Sequence, residues 1–158
     1  MGPTRKRDLA AAAVAAVVVG YLSLVLLYRW FPPITLWSGT SLAVLAAAEA
    51  GWGVHVRARI RAGEIGMGGG RLHPLTVARS VFAAKASAWV GALMAGWWAG
   101  AAGYLLQHRA EMRVAAADTP GALVASGCAL ALTAAALWLQ YCCRSPEPPA
   151  DDADPAPE

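Results

Sequence analysis

Two charged side chains lie inside apolar runs of the sequence, and their types and placement could support chemistry. Glu49 is in "LAVLAAAEAGWGV" and Lys85 is in "VFAAKASAWVGALMAGWWAG". An acid and a base that meet in apolar surroundings can fix the packing of two helices or form part of a pathway for protons or ions. Each charge left unpaired in hydrocarbon costs roughly 2.5–3.5 kcal/mol on insertion scales, so we predict a Glu49–Lys85 ion pair.

Other arrangements of these two charges remain open. Lys85 could extend its ammonium group to the headgroup level while its stem stays buried. Glu49 could carry a proton, or could pair with Arg57 or Arg79 at the membrane interface. An ion pair that only fixes the register of two helices would give the same sequence pattern as a proton or ion relay. Because a transport pathway usually carries several polar groups in series, and few are present, we favour the structural pair.

No other residues have the spacing of a catalytic or ligand-binding motif. The serines lack a nearby histidine and carboxylate, and the three histidines are scattered without thiol or carboxylate neighbours at metal-ligand spacing. The segment "RARIRAGEIGMGGGRLHPLT" lacks the GxxxxGK(S/T) and GxGxxG patterns of phosphate-binding loops. We therefore predict no enzyme activity, no metal site, no cofactor and no nucleic-acid partner.

The composition indicates which environment surrounds these residues. Only 15% of the residues are charged and 58% are apolar, whereas a soluble domain normally has about a quarter charged residues. Several apolar runs approach the roughly 20 residues that cross a ~30 Å hydrocarbon layer. The lipid bilayer is therefore the expected partner of the chain, and we predict a multi-pass protein of the plasma membrane.

Four apolar segments have this length, so the predicted fold is an all-α, four-helix transmembrane bundle. The helices are predicted at about 9–28, 34–56, 78–106 and 120–143, within a membrane domain of residues 9–143. Thr119 and Pro120 have the residue types favoured at an N-cap and a first helical position, which places the start of the last helix there. The first segment imitates a signal peptide but is longer than the usual 7–15 apolar residues, so a retained helix is predicted.

Basic residues are concentrated at one end of these helices. They are Arg5, Lys6 and Arg7 in the N-terminal segment 1–8, and Arg57, Arg59 and Arg61 in the Gly-rich loop 57–77. Because Lys and Arg resist translocation, this end and both termini are predicted to be cytoplasmic. Residues 144–158 are acidic and Pro-rich and have nothing to bury, so they are predicted to form a disordered cytoplasmic tail.

Small residues follow one face of the third predicted helix. At 100° per residue, Lys85 shares that face with Ala88, Ala92, Gly96, Ala99 and Gly103. Helices in a bilayer associate through such residues, because small side chains let two backbones approach closely. We therefore predict that this face packs on another helix.

The sequence also resembles a known family. The segments "PTRKRDL", "LTVARSVFAAKASAWVGALMAGWWAG" and "ADTPGALVASGCALALTAAALWLQYCCR" are similar to a family of small four-span integral membrane proteins of actinobacteria, a domain of unknown function. The resemblance covers nearly the whole chain except the Gly-rich loop and the acidic tail. It implies a plasma-membrane protein of unknown activity, often encoded near folate-synthesis genes, and it supplies no catalytic or binding residues.

These observations favour a non-enzymatic accessory or assembly protein. Its small-residue faces would bind other helices, either of its own copies in a homo-oligomer or of a membrane-protein partner. The alternative is a small transporter or channel component in which Glu49 and Lys85 line a pathway within an oligomer, since four short helices enclose little room alone.

Overall fold

The long runs rich in Ala and Leu form helices, as the high helix propensity of these two residues predicts. The computed structural model describes residues 6–62 and 74–143. It contains α1 (Lys6–Leu27), α2 (Thr40–Arg61), α3 (Pro74–His108) and α4 (Arg113–Cys142), with 3-10 turns at Tyr28–Trp30 and Leu36–Gly39. No strand occurs in these two described ranges, so the all-α prediction with four helices is confirmed. Arg5, most of the Gly-rich loop and the tail 144–158 lie outside the described residues.

The start of the last helix differs from the prediction. Helix α4 begins at Arg113, and Pro120 lies inside it, so placing the N-cap at Thr119 was wrong. Thr119 instead donates its hydroxyl hydrogen bond to the carbonyl of Ala115 at 2.6 Å, inside the helix. Proline removes one backbone donor, but the first two turns of α4 are also held from outside, by contacts of Asp118 with the loop before α2. Tertiary contacts therefore outweigh the local signal of a Thr-Pro pair.

The helices pack in the order α1, α3, α4, α2. Helix α1 packs on α3, α3 packs on α4, and α4 packs on α2, whereas α1 and α2 do not pack on each other. Contacts at glycines give the directions. A Cβ on Gly39 would meet Ala125 of α4, and a Cβ on Gly53 would meet Leu139. Both numbers rise together, so α2 and α4 run parallel.

Close approach of α1 and α3 depends on two glycines of α3. A Cβ added to Gly96 would run into the carbonyl of Ala13, and one added to Gly100 would run into the carbonyl of Val17. The pairs 13 with 96 and 17 with 100 advance together, so α1 and α3 also run parallel. Helix interfaces of this kind exclude larger residues because the backbones themselves are in contact.

A hydrophobic cluster closes the end of the bundle at which α3 leads into α4. Its buried members are Leu24, Ile34, Ala101, Ala102, Leu105, Ala115 and Ala122, with aromatic residues such as Tyr28, Phe31 and Trp98 packed against them. We refer to this end as the outer end, and to the end that contains Arg61 and Cys142 as the inner end. The outer end therefore holds the larger side chains, and the rest of the bundle packs mainly through Ala and Gly.

Two of the helical segments have the length and composition of membrane spans. Arg7–Trp30 has a mean hydropathy of 2.5 over its best window, and Arg113–Cys142 has 2.0. Helix α2 carries Glu49 and three arginines toward its inner end, and α3 contains several Gly and Trp residues, which lowers their hydropathy. The described chain is thus all-α with two helices that are able to cross a bilayer.

Candidate functional site

Glu49 is buried on the face of α2 that packs on α4. Its side chain is 9% exposed, and its helical neighbours on that face, Ala46, Gly53 and Val56, are buried too. Within the described residues the Oε2 atom of Glu49 is buried and has no hydrogen-bond partner. Leaving a buried acceptor unsatisfied costs about 1–3 kcal/mol, and more for a charged group. The buried Oε2 atom is therefore costly, and the packing of the described residues does not compensate it.

The predicted ion pair between Glu49 and Lys85 does not form within the described chain. The indole N–H of Trp52 donates to the hydroxyl of Ser80 at 2.8 Å, which identifies the side of α3 that faces α2. Lys85 lies five residues after Ser80, so it lies about 140° around the helix. The pairing prediction was wrong in its geometry because it placed α2 and α3 side by side, whereas α4 is the main neighbour of both.

The alternative partners considered for Glu49 lie elsewhere as well. The guanidinium of Arg57 lies 5.3 Å from the ring centroids of both Trp138 and Tyr141, in a cation–π arrangement on α4. Arg79 is exposed. Neither arginine hydrogen-bonds the buried Oε2 atom of Glu49 in the described part of the chain.

An apolar groove lies between α1 and α2, where these two helices do not touch. It has a volume of about 780 Å³, and α3 forms its floor through residues that include Met94 and Trp97. Helix α1 contributes Ala16 to one wall, and α2 contributes Ser41 and Leu42 to the other. Small residues on the α1 wall and large apolar residues on the floor give a surface with the shape and chemistry to receive an apolar chain or helix.

The predicted packing face of α3 is used over part of its length. Ala88, Ala92 and Gly96 are buried, and Gly96 lies directly against Ala13 of α1. Ala99 is exposed, and no heavy atom lies within 4 Å of the place where a Cβ on Gly103 would stand. The face therefore packs on α1 toward its middle and diverges from it toward the outer end.

The basic residues predicted as cytoplasmic anchors lie at one end of the bundle where the structure describes them. Arg7 and Arg61 are exposed, while Arg57 and Arg59 are partly buried. Arg57 owes its burial to the two aromatic rings beneath it. The described anchors thus form a basic rim around the inner ends of α1 and α2.

A second buried carboxylate, Asp118, was not predicted, because the Thr119–Pro120 pair places this residue in a loop before α4. Asp118 is 5% exposed. Its Oδ1 accepts the backbone N–H of Ile34 at 3.1 Å, and its Oδ2 accepts the hydroxyl of Tyr28 at 3.0 Å. The signal that could have found it is an acid within the apolar run that precedes Thr119. Asp118 connects α4 to the start and the middle of the segment between α1 and α2.

Aromatic side chains extend this polar cluster across the outer end. The ring of Tyr104 makes edge contacts with Tyr21 at 5.9 Å and Tyr28 at 5.7 Å between centroids, and it stacks on His108 at 4.4 Å. The hydroxyl of Tyr21 donates to Gln107 at 2.9 Å. Edge-to-face pairs of this kind contribute about 0.5–1.5 kcal/mol each beyond area burial, so the outer end is firmly cross-connected.

The inner end of α4 carries two adjacent thiols. Cys142 is buried, Cys143 is partly buried, and both are free. Burial raises the pKa of the Cys143 thiol above its ordinary value, and the neighbouring Cys142 raises it further. A raised pKa keeps the thiol in its neutral, less nucleophilic form at physiological pH.

No group of three or more His, Cys, Asp or Glu side chains comes together within the ranges 6–62 and 74–143. The functional candidates in these ranges are therefore the unsatisfied carboxylate of Glu49 and the groove, and the outer cluster has a structural character.

Similarity to a family of proteins extends over most of the chain. Residues 9–147 match the family described as "Protein of unknown function (DUF3180)". No curated protein and no solved structure matches the chain.

Proposed function

The chain belongs to this family of proteins of unknown function, and from that premise we propose that it is a four-span plasma-membrane protein that assembles with other membrane helices. It acts as a non-enzymatic accessory or assembly protein. Its termini and basic rim lie on the cytoplasmic side, as the distribution of Arg and Lys favours.

Exposed apolar surface on all four helices is the observation that supports a bilayer around the whole bundle. Leu26 of α1 is 73% exposed, Val44 of α2 is 65%, Phe82 of α3 is 59% and Leu130 of α4 is 59%. Soluble proteins rarely expose large contiguous apolar surface unless another molecule covers it. Contact with lipid tails carries no free-energy cost for apolar side chains. We therefore propose that α2 and α3 span the membrane together with α1 and α4.

The groove between α1 and α2 supports the assembly role. Lipid offers little drive for helices to associate, so association depends on close packing and polar contacts. A groove of about 780 Å³ walled by Ala12, Ala15 and Ala16 lets another helix approach closely. The gap between α1 and α2 is thus open to a helix of another chain.

The second candidate is a small transporter or channel component, and it is favoured by one observation, the unsatisfied Oε2 atom of Glu49. Buried intramembrane acids often belong to ion or proton pathways. In that case Glu49 and Lys85 would line a pathway between copies, and neutralising both would abolish flux as completely as either single change does. In the assembly role, the Glu49→Gln plus Lys85→Met double variant would insert and assemble better than either single variant.

Photocrosslinking in native membranes tests the assembly role. A photoreactive amino acid replaces Leu42 or Met94 in the groove, and Leu26 on the exposed side of α1 serves as the matched control. We expect discrete protein adducts from the two groove positions and only lipid adducts from position 26. Lipid adducts alone from all three positions would contradict the role.

Thiol labelling tests the proposed orientation. In a chain whose three native cysteines are replaced by serine, Ala110→Cys lies at the outer end and Ala62→Cys at the inner end, and both positions are exposed. An impermeant maleimide added to intact cells should label position 110 at once and position 62 only after permeabilisation. The reverse pattern would invert the orientation.

A further inference from the structure

We propose that the missing partner of the Glu49 carboxylate is Lys85 of a second copy of the chain. The inference rests on the proposed function, because a bilayer must hold all copies in one orientation. It makes the chain a homo-oligomer joined by a charged contact in the inner half of the bundle.

The packing of one chain leaves the charges of these two residues apart. Within the described residues, Oε2 of Glu49 is buried without a hydrogen-bond partner. Lys85 is partly buried and makes no ion pair with Glu49, because it lies on another side of α3. Two opposite charges in apolar surroundings are each costly alone, and each offsets the cost of the other when they meet.

The two residues lie at nearly the same depth. A Cβ on Gly53 would contact Leu139, so Glu49, four residues earlier on a helix parallel to α4, lies near the level of residue 135. Gln140 donates to the carbonyl of Ala84 at 3.2 Å, so Lys85 on the antiparallel α3 lies near the level of residue 139. Four residues correspond to about 6 Å along the axis, which the four-carbon stem of a lysine spans.

The surface beside Glu49 is open to a neighbour. Leu45 and Trp52 lie one turn to either side of it, and they are 45% and 40% exposed. Glu49 thus lies at the boundary between the buried face of α2 and an exposed apolar strip. A lysine from an adjacent copy would reach the carboxylate across this strip. Its methylene stem would then pack on Leu45 in place of lipid.

The geometry also sets the type of interface. Glu49 and Lys85 lie on different sides of the same chain, so a copy gives its lysine to one neighbour and receives a lysine from another. Such a contact is heterologous, and it closes when the rotation between copies completes a ring. All copies in one membrane share their depth, so every contact around the ring brings the same two levels together.

Cysteine crosslinking between two differently tagged copies tests the proposal. Both copies lack the native cysteines; one carries Glu49→Cys and the other carries Lys85→Cys, and a short bismaleimide is added to native membranes. We expect a product that carries both tags, on the order of tenfold more abundant than in the controls, because a held contact raises the effective concentration of the two thiols.

The matched controls move each cysteine around its own helix without changing its depth much. Ala47→Cys replaces Glu49→Cys, and Ala83→Cys replaces Lys85→Cys; both positions are exposed and each lies about 160° from the position it replaces. The amount of full-length chain in the membrane shows that each variant has inserted. Mixed product no more abundant than in these controls would overturn the proposal.

Charge reversal adds a test that needs no cysteine. We expect Glu49→Lys and Lys85→Glu each to lower the fraction of oligomer in gently solubilised membranes, and the two changes together in every copy to restore it. Failure of the double reversal to restore the oligomer would overturn the proposed contact. If position 49 crosslinks only to a different protein, self-pairing fails while the assembly role stands; lipid adducts alone from the groove positions defeat the assembly role itself.

Discussion

The described bundle buries one carboxylate at its outer end, Asp118, and one in its inner half, Glu49, and their oxygens differ in hydrogen bonding. At the outer end, both oxygens of Asp118 accept hydrogen bonds, from Ile34 and Tyr28. In the inner half, the buried Oε2 of Glu49 accepts none from the described chain. A satisfied buried acid connects elements of the fold, whereas an unsatisfied one lowers stability unless something else binds it. The contrast assigns Asp118 to the fold, whereas Oε2 of Glu49 is the atom for which a partner is proposed.

Removing the satisfied acid should have the largest effect on stability. Asp118→Ala leaves the Ile34 N–H and the Tyr28 hydroxyl without their acceptor, at about 1–3 kcal/mol for each buried group. We expect the free energy of unfolding to fall by about 2–6 kcal/mol when the protein in detergent micelles is titrated with SDS. Glu111→Ala, at an exposed position, is the matched control. An equally small change in both variants would remove the contrast.

Removing the unsatisfied acid should change stability in the opposite direction. Glu49→Leu replaces a buried oxygen that has no partner in the described chain by apolar volume, so the monomer in dilute detergent should gain about 1–3 kcal/mol. The same titration measures it. A loss of stability would show that the described chain already compensates the carboxylate, and Glu49 would then resemble Asp118.

A single hydroxyl at the outer end should have a smaller effect. Tyr28→Phe deletes one hydrogen bond to Asp118 and keeps the ring contact with Tyr104, so we expect a loss of about 1 kcal/mol. Tyr141→Phe is the control, because that ring is exposed and packs under Arg57 rather than on an acid. If the two losses are equal, the Tyr28–Asp118 bond contributes nothing specific.

The smallest effect concerns the rate at which the Cys143 thiol at the inner end is alkylated, and it does not involve the free energy of unfolding. Because burial raises the pKa of the Cys143 thiol, its alkylation by a maleimide at neutral pH should be slower than that of an exposed reference thiol. Ala62→Cys, in the background without native cysteines, supplies this reference. The rate at Cys143 should continue to rise at pH values where the reference has levelled off, since the thiolate is the reactive form. If the alkylation rates of the two thiols depend on pH in the same way, the pKa of Cys143 is not raised.

The helices could be predicted from the sequence, but their neighbours could not. Apolar runs of about 20 residues indicate helices wherever the surroundings are apolar. Gly96 of the predicted packing face lies against α1, whereas Ala99 is exposed. The pairing of Glu49 with Lys85 assumed that consecutive helices lie side by side. Hydrophobic pattern alone does not distinguish that order from the observed one, because Ala and Gly occur on several faces.

The missed role of Asp118 has a different cause. The Thr119–Pro120 pair is a good local signal for a helix start, and it placed Asp118 in a loop. The acid is instead inside α4, where it binds the backbone of Ile34, a residue 84 positions away in the chain. No local pattern carries information about a contact of that separation.

The gap between α1 and α2 has a consequence for how the protein is made. These two helices leave the ribosome first, and neither finds its neighbour in the finished fold until α3 and α4 have been synthesised, because α1 docks on α3 and α2 docks on α4. Until then α1 and α2 lack their native helix contacts, and the α3–α4 hairpin supplies the surfaces on which they pack. Two fragments divided between α2 and α3 carry complementary halves of every α1–α3 and α2–α4 interface, so coexpressing them should rebuild the bundle.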